Sequence, residues 1–318
     1  MPGKNHLMSS ANPFPDLVIP APSLRGRILN RIVRTVVKQW PRQNPALVVR
    51  RSRQFFGLAG RLTPLYSKNV TITPVSQPAG EWLTPVQTAD SNRVILYLHG
   101  GGYISCSVRS HRPITLPLAR ISSTRVFSLE YRLAPEHPFP AAVDDAAAGY
   151  RWLLQQGHSP EHIVFAGDSA GGGLAIAAML RLRTQSVPLP AAAVCFAPWV
   201  DLTGKCNYRN GQDCSMFRGD DIATFAGLYL RDIAAEHCEA SPVFGDLTGL
   251  PPLLIQASSA ELLFDDALRL HERATAAGVR SRLDVYPGLP HVWQMFIGLI
   301  PEAEMALRAA AEFVTKPV

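Results

Sequence analysis

The sequence predicts an α/β fold built on a mainly parallel sheet, and three observations carry that expectation. Six short runs, RVILYLHG (93–100), RVFSLEY (125–131), HIVFAG (162–167), AAVCFAPW (192–199), PLLIQAS (252–258) and RLDVYPG (282–288), are mostly continuous in apolar residues. Strands buried on both faces of a parallel sheet have that character. Helical stretches at 141–156, 170–184, 263–277 and 302–315 lie between and after them, and strands alternating with helices call for crossover connections. The third observation is size: 318 residues, 47% hydrophobic and 18% charged, suffice for one large core.

Residues 1–22 carry several prolines and little periodicity, so they read as an extended arm. Ser23 is placed to cap a helix running to about Trp40, in which Leu24, Ile28, Ile32, Val36 and Trp40 recur every four residues. Arg25, Arg27, Arg31, Arg34 and Lys38 occupy the rest of that cylinder, and Pro41 and Pro45 break it. A second helix is expected over 46–60, ending near Gly60. VTITPV and WLTPVQT alternate and contain proline, which suits an edge hairpin. Residues 200–245 interrupt the strand–helix alternation with a polar stretch and one helical segment, DDIATFAGLYL (220–230). With the N-terminal helices, this insertion would cover the sheet as a cap.

Charge is unevenly placed. Residues 1–68 hold 12 Lys/Arg against one acid, a balance of +11, while the remainder holds 19 basic and 24 acidic residues, a balance of −5. A solvated basic helix face accounts for this, with weak membrane-surface contact as the sharper expectation. No nucleic-acid-binding motif occurs, so no nucleic-acid partner is expected. No apolar run approaches the length of a membrane span, and the first residues lack the pattern of a secretory signal. Five cysteines without CxxC spacing point to reduced thiols in a cytoplasm, and to neither a disulfide framework nor a metal site.

The stretch FAGDSAGGG (165–173) sets one serine among residues that have almost no side chain. A strand leads into Gly167-Asp168-Ser169-Ala170-Gly171 and a helix leaves it. Gly-x-Ser-x-Gly in that context is a nucleophile elbow, a strained turn that lifts the hydroxyl above the sheet at a helix N-terminus. A serine hydroxyl needs a base to take its proton. His291, on a loop framed by Pro287, Gly288 and Pro290 after the last strand, is the best placed of nine histidines. The carboxylate that orients it should follow the penultimate strand, where Glu261, Asp265 and Asp266 stand; Glu261, just past the strand end, is favoured. LYLHGGGYIS (96–105) ends a strand in His99 and three glycines. The backbone N–H groups of Gly101 and Gly102, with that of Ala170, would hold the charge of a tetrahedral intermediate. His99 reads as a residue that fixes this loop. The GDSAGGG stretch is not GxGxxG, which disfavours hydride transfer.

Together HGGGY (99–103), YRLAPEHPFPAAVDD (131–145), GDSAGG (167–172), SAELLFDD (259–266) and GLPHVWQ (288–294) resemble the hormone-sensitive-lipase-like esterases, the family IV bacterial carboxylesterases. The likeness spans about residues 80–300. It implies an α/β-hydrolase fold with an eight-stranded, mostly parallel sheet and a helical cap. The arm and cap helices would be residues 1–68, and the catalytic domain 69–318 with a cap insertion at about 200–245. It carries over Ser169 as nucleophile, His291 as base, Gly101, Gly102 and Ala170 as oxyanion donors, and Asp168 as a support beside the nucleophile. Tyr103, Asp168, Phe217, Val292 and Trp293 would shape the substrate pocket, and Arg132, Glu136 and Asp144 would form one polar cluster beneath it. One departure is evident: many members have Asp-Pro-Leu where this chain has Glu261-Leu262-Leu263. The activity implied is hydrolysis of short- to medium-chain carboxylic esters through an acyl-enzyme, with no cofactor or metal. An amidase or formamidase on the same triad, or a non-catalytic small-molecule receptor of the same fold, are the rival readings. The partners expected are a small ester and a second copy of the chain.

Overall fold

The computed structural model describes residues 17–18, 21–37, 44–59, 66–88, 92–205, 214–216 and 218–316. The strands expected from the sequence are present as β2 (Val70–Ser76), β3 (Ala79–Pro85), β4 (Val94–Leu98), β5 (Arg125–Leu129), β6 (Ile163–Asp168), β7 (Ala192–Phe196), β8 (Leu253–Ser258) and β9 (Ser281–Tyr286). A two-residue strand, β1 (Leu17–Val18), pairs parallel with β9 and adds a ninth. The order is β1-β9-β8-β7-β6-β4-β5-β3-β2, antiparallel only at β2–β3 and β3–β5. Strands β4 through β9 are all parallel to one another, so their carboxyl ends lie at one edge. Loops that follow those ends are where α/β sheets build sites.

Helices cover both faces. The N-terminal pair is α1 (Leu24–Val37) and α2 (Pro45–Ala59). Ser23 caps α1 as expected: its Oγ accepts the Gly26 N–H at 3.0 Å and donates to Glu302 at 3.1 Å. Asn44 caps α2 through the Ala46 N–H at 3.0 Å. Next come α3 (Arg112–Ser122), α4 (Ala141–Gln155), α5 (Ala170–Thr184), α6 (Gly219–Leu230), α7 (Phe264–Ala276) and α8 (Pro301–Thr315). The α3 helix leaves no helical signal in the sequence, because RPITLPLARIS holds two prolines. Pro113 occupies the first turn, where a missing N–H costs nothing, and Pro117 is tolerated inside the helix. Ile114, Leu118 and Ala119 are buried in one apolar cluster with Ala303, Leu307 and Ala310 of α8, and this packing overrides propensity. On the opposite face α4, α5 and α7 bury Ala146, Tyr150, Leu174, Ala178 and Leu270. No helix among the described residues is long and apolar enough to cross a membrane.

The small residues of GDSAGGG have a direct physical cause. A Cβ on Gly171 would overlap the carbonyl oxygens of Leu98 and His99, and one on Gly173 would overlap the carbonyl oxygen of Trp199. Helix α5 therefore starts in backbone contact with the ends of β4 and β7. Gly57, in α2, has nothing within 4 Å of the same position. Gly171→Ala is expected to lose at least about 3 kcal/mol by overpacking, whereas Gly57→Ala gains about 0.5–1 kcal/mol by helix propensity. Urea denaturation of the two proteins checks this, and equal midpoints would refute the close approach.

Candidate active site

The chain passes from β6 to α5 through a single residue. Ser169 adopts φ 52° and ψ −121°, a region that L-residues rarely occupy. Neighbouring backbone holds it there. The Ser169 N–H donates to the Phe196 carbonyl at 2.8 Å, and the Trp199 N–H donates to the Ser169 carbonyl at 2.9 Å. The side chain thus projects from the carboxyl edge of the sheet at the N-terminus of a 15-residue helix, whose dipole favours negative charge there. Ala170 begins that helix and is fully buried.

His291 and Glu261 come from the loops after β9 and β8. Both are buried, and His291 Nδ1 is hydrogen-bonded to Glu261 Oε2. A carboxylate at that nitrogen makes Nδ1–H the donor and leaves Nε2 as the nitrogen that can exchange a proton. The other Glu261 oxygen accepts the Ser258 N–H at 2.7 Å. Ser258 also joins the two loops, because its Oγ donates to the Leu289 carbonyl at 2.8 Å and accepts the Leu289 N–H at 3.0 Å. The longer glutamate is thereby accommodated: its second oxygen is anchored at the end of β8 while the first reaches His291. Asp266 faces elsewhere, accepting the Val200 and Asp201 N–H groups at 2.9 and 3.0 Å. Burial pushes its carboxyl up to about 8.

The HGGG loop is held from behind by Asp168. This buried carboxylate accepts the Tyr97 hydroxyl at 2.7 Å, the Gly100 N–H at 3.0 Å and His111 Nε2 at 3.0 Å. Burial alone would raise its pKa, but adjacent His111 and the hydrogen bonds from His111 and Tyr97 outweigh this and keep it below the usual carboxylate range. Gly101 has φ 111°, open only to glycine, and its carbonyl accepts the N–H groups of Ile104 at 3.2 Å and Ser105 at 3.1 Å. His99 fixes the loop as expected. Its ring stacks on Tyr131 at 4.3 Å, its carbonyl accepts the Tyr131 hydroxyl at 2.6 Å, and burial lowers its pKa to about 3, which keeps it neutral.

These parts meet in one cavity of about 570 Å³. Gly101, Gly102, Asp168, Ser169, His291 and Val292 all line it, together with apolar side chains from α1, α2 and α6. A second cavity of about 510 Å³, lined by Arg93, Arg125 and His158, begins at Val94 and the start of β5, the opposite end of the sheet from Ser169. Two pocket expectations are corrected. Tyr103 is not among the described residues that line the catalytic-edge cavity; its φ of 63° turns the ring into the core, where it stacks on Tyr229 at 3.9 Å. Trp293 is fully buried against Tyr286 at 4.8 Å and donates its indole N–H to the Glu302 carbonyl. Phe217 lies outside the described residues. The expected polar cluster is instead three separate ion pairs: Arg132 with Asp145, Glu136 with Arg53, and Asp144 with Arg181. Ser258, His111, Tyr97 and Arg53 were missed by sequence reasoning, since each works through a partner distant in the chain.

A serine on a strained strand–helix turn, sharing a cavity wall with a carboxylate-held histidine, is the arrangement of a serine hydrolase. The family description "alpha/beta hydrolase fold" matches residues 95–295. The chain is 42% identical over 245 residues to an acetyl-hydrolase of Streptomyces hygroscopicus, covering 76% of this chain and 81% of that protein. It is 36% identical over 230 residues to an esterase of Acinetobacter venetianus, covering 71% and 76%. A solved esterase of the bacterial hormone-sensitive lipase family superimposes with a TM-score of 0.83 at 38% identity, over 92% of this chain and 98% of that one. The chain belongs to the α/β-hydrolase family, and within it to the hormone-sensitive-lipase-like esterases.

Asp266 gives a stability test with a definite sign. Between an unfolded value near 4 and its folded value of about 8, the native state binds more protons than the unfolded chain, so this group's contribution falls as pH rises. Asp266→Asn keeps an oxygen for the two amides and has no such proton to lose. Its stability relative to wild type is expected to climb by up to about 1.4 kcal/mol per pH unit across that window. A gap that stays constant with pH in urea titrations would mean that Asp266 is ionised in the fold.

Proposed function

We infer that the protein hydrolyses carboxylic esters through an acyl-enzyme on Ser169. The observation that carries this is the convergence of strained Ser169 and the Glu261-paired His291 on one largely apolar cavity. Ser169 Oγ attacks the acyl carbon as His291 Nε2 takes its proton. Glu261 holds the ring in the required tautomer and stabilises the imidazolium. The N–H groups of Gly101, Gly102 and Ala170 receive the oxyanion, aided by the dipole of α5. His291 then protonates the leaving alcohol, and water repeats the sequence on the acyl-enzyme. Asp168 acts indirectly, by setting the position of Gly100 and hence of the loop that follows it.

An apolar cavity suits the acyl chain of a small, short- to medium-chain ester. It offers few polar side chains to receive an amide N–H, which favours the ester over the amide reading. Lining by α1, α2 and α6 supports a cap formed from residues 1–68 and the 200–245 insertion over a catalytic domain of 69–318. Burial pushes the Cys106 and Cys195 thiols up to about 12, and Cys106, Cys195 and Cys238 are free, which supports a reducing compartment such as the cytoplasm.

Turnover of a 4-nitrophenyl ester series, acetyl through dodecanoyl, tests the assignment. Activity should peak at the shorter chains. Ser169→Ala should lower kcat by about 10⁴-fold or more, and Glu261→Gln by about 10²- to 10⁴-fold. Wild-type turnover by Ser169→Ala would sink the nucleophile, and unimpaired Glu261→Gln would sink the acid.

A further inference from the structure

Helix α1 carries two apolar stripes, and only one of them faces the protein. Gly26, Leu29 and Val33 form the packed stripe; a Cβ on Gly26 would already lie 2.8 Å from Leu289. Beside it, at successive four-residue steps, Leu24, Ile28, Ile32 and Val36 are 65%, 51%, 54% and 52% exposed. On the far side of that exposed stripe lie Arg27, Arg31 and Arg34, all exposed. Helical spacing thus gives three bands around the cylinder, packed, exposed apolar and basic, with exposed Arg25 in the first turn set within the apolar one. Single exposed apolar residues need no explanation, but an aligned row of four does.

Two further observations say what this face meets. Between residues 17 and 68 the chain has 11 Lys/Arg and no Asp or Glu, so no acid within that stretch offsets the basic band. The exposed row also continues into the cavity mouth. Ile32 and Val36 line the cavity that holds Ser169, as do Leu58 and Leu299, which are 50% and 59% exposed.

We propose that this face docks on an anionic lipid surface and brings the cavity mouth to it, so that apolar esters reach Ser169 from the interface. A helix lying flat at the headgroup boundary sinks its apolar band among the acyl chains while arginines on its flank reach the phosphates. Each arginine near such a surface adds about 1 kcal/mol of attraction, weakened by salt. Docking stands on the α1 surface alone; delivery of substrate rests on the esterase reading.

The test separates the two. Docking is read by co-sedimentation of Ser169→Ala protein, which spares any lipid from hydrolysis. The vesicles are phosphatidylcholine alone or phosphatidylcholine with phosphatidylglycerol, at low and high salt. Partitioning should require the anionic lipid and fall with salt. Leu24→Ser/Ile28→Ser, at two positions that do not themselves line the cavity, should weaken it at least about tenfold. Arg27→Gln/Arg31→Gln/Arg34→Gln should weaken it about a hundredfold. Turnover of soluble 4-nitrophenyl butyrate by the same α1 substitutions on an intact Ser169 should stay within about twofold of wild type. Loss of that activity in every protein, wild type included, would fail the esterase reading and leave the sedimentation result to decide docking. Absent binding at low salt, equal binding to neutral vesicles, or unchanged binding by both α1 variants would overturn the proposal. A dimer in solution that Leu24→Ser/Ile28→Ser alone dissociates would assign the stripe to a second copy and overturn it equally.

Discussion

Between β6 and α5 the chain must turn from strand to helix at one residue while two other backbones pass against it. That close passage organises the rest of the site. Gly171 touches the end of β4 through Leu98 and His99, so the HGGG loop has to begin beside Ser169. Gly173 touches Trp199, and the Ser169 backbone bonds to both Phe196 and Trp199, so the loop after β7 is pinned to the same point. Holding Ser169 at positive φ costs about 1–3 kcal/mol, and persists only because its surroundings over-determine it. Three strand ends supply that determination, and the return is a hydroxyl already placed at a helix N-terminus.

Two buried carboxylates divide the remaining work according to their partners. Asp168 has donors at both oxygens, from Tyr97, Gly100 and His111, and sits beneath the HGGG loop. Glu261 has one oxygen on the Ser258 amide and the other on His291. Isolated buried polar groups are costly, so each carboxyl is met by fixed donors. The consequence differs in kind. The donors of Asp168 include a loop backbone, so its charge acts on the position of peptide groups. Glu261 bonds the ring that, in the proposed reaction, gains a proton, so there its effect would fall on the transition state. Ser258 links the second arrangement to the sheet, since one residue at the end of β8 bonds Glu261 by its N–H and the His291 loop by its hydroxyl.

How much of this was legible in the sequence follows from the range of each interaction. Buried parallel strands announce themselves as apolar runs, and both Gly-rich turns are local patterns, so the sheet and the candidates Ser169, Gly101 and Gly102 could be read directly, while His291 was a candidate by its place after the last strand. Glu261 was favoured over its neighbours by position, and its hydrogen bond to His291 agrees with that choice. Helix α3 was hidden because its two prolines outweigh local propensity, while its stability comes from α8, distant in the chain. Tyr103 and Trp293 adjoin motif residues, yet adjacency does not say which way a ring turns; both turn inward. The two-residue strand β1 is too short to leave a pattern. Arg132, Glu136 and Asp144 lie close in sequence, but each finds its own partner, and no periodicity records a pairing such as Arg53 with Glu136 across 83 positions.

That pairing bears on how the N-terminal helices relate to the chemistry. Arg53, on α2, donates to the Ile104 carbonyl at 2.9 Å, to the Ala134 carbonyl at 3.1 Å, and through two nitrogens to the Glu136 carboxylate. The guanidinium holds the Glu136 carboxyl down at about 2. An exposed ion pair alone would contribute little. Here the same planar fork also binds two backbone carbonyls, and its geometry fits all of them at once. Ile104 follows Gly101, Gly102 and Tyr103 directly, and its own N–H is bonded to the Gly101 carbonyl. Helix α2 is therefore joined, through one side chain, to the segment whose amides are proposed to receive the oxyanion. A movement of α2 cannot leave that segment undisturbed without breaking the fork. On its inner side α2 is thus tied to the framework of the candidate site, which leaves the outer apolar and basic bands of α1 for a different surface.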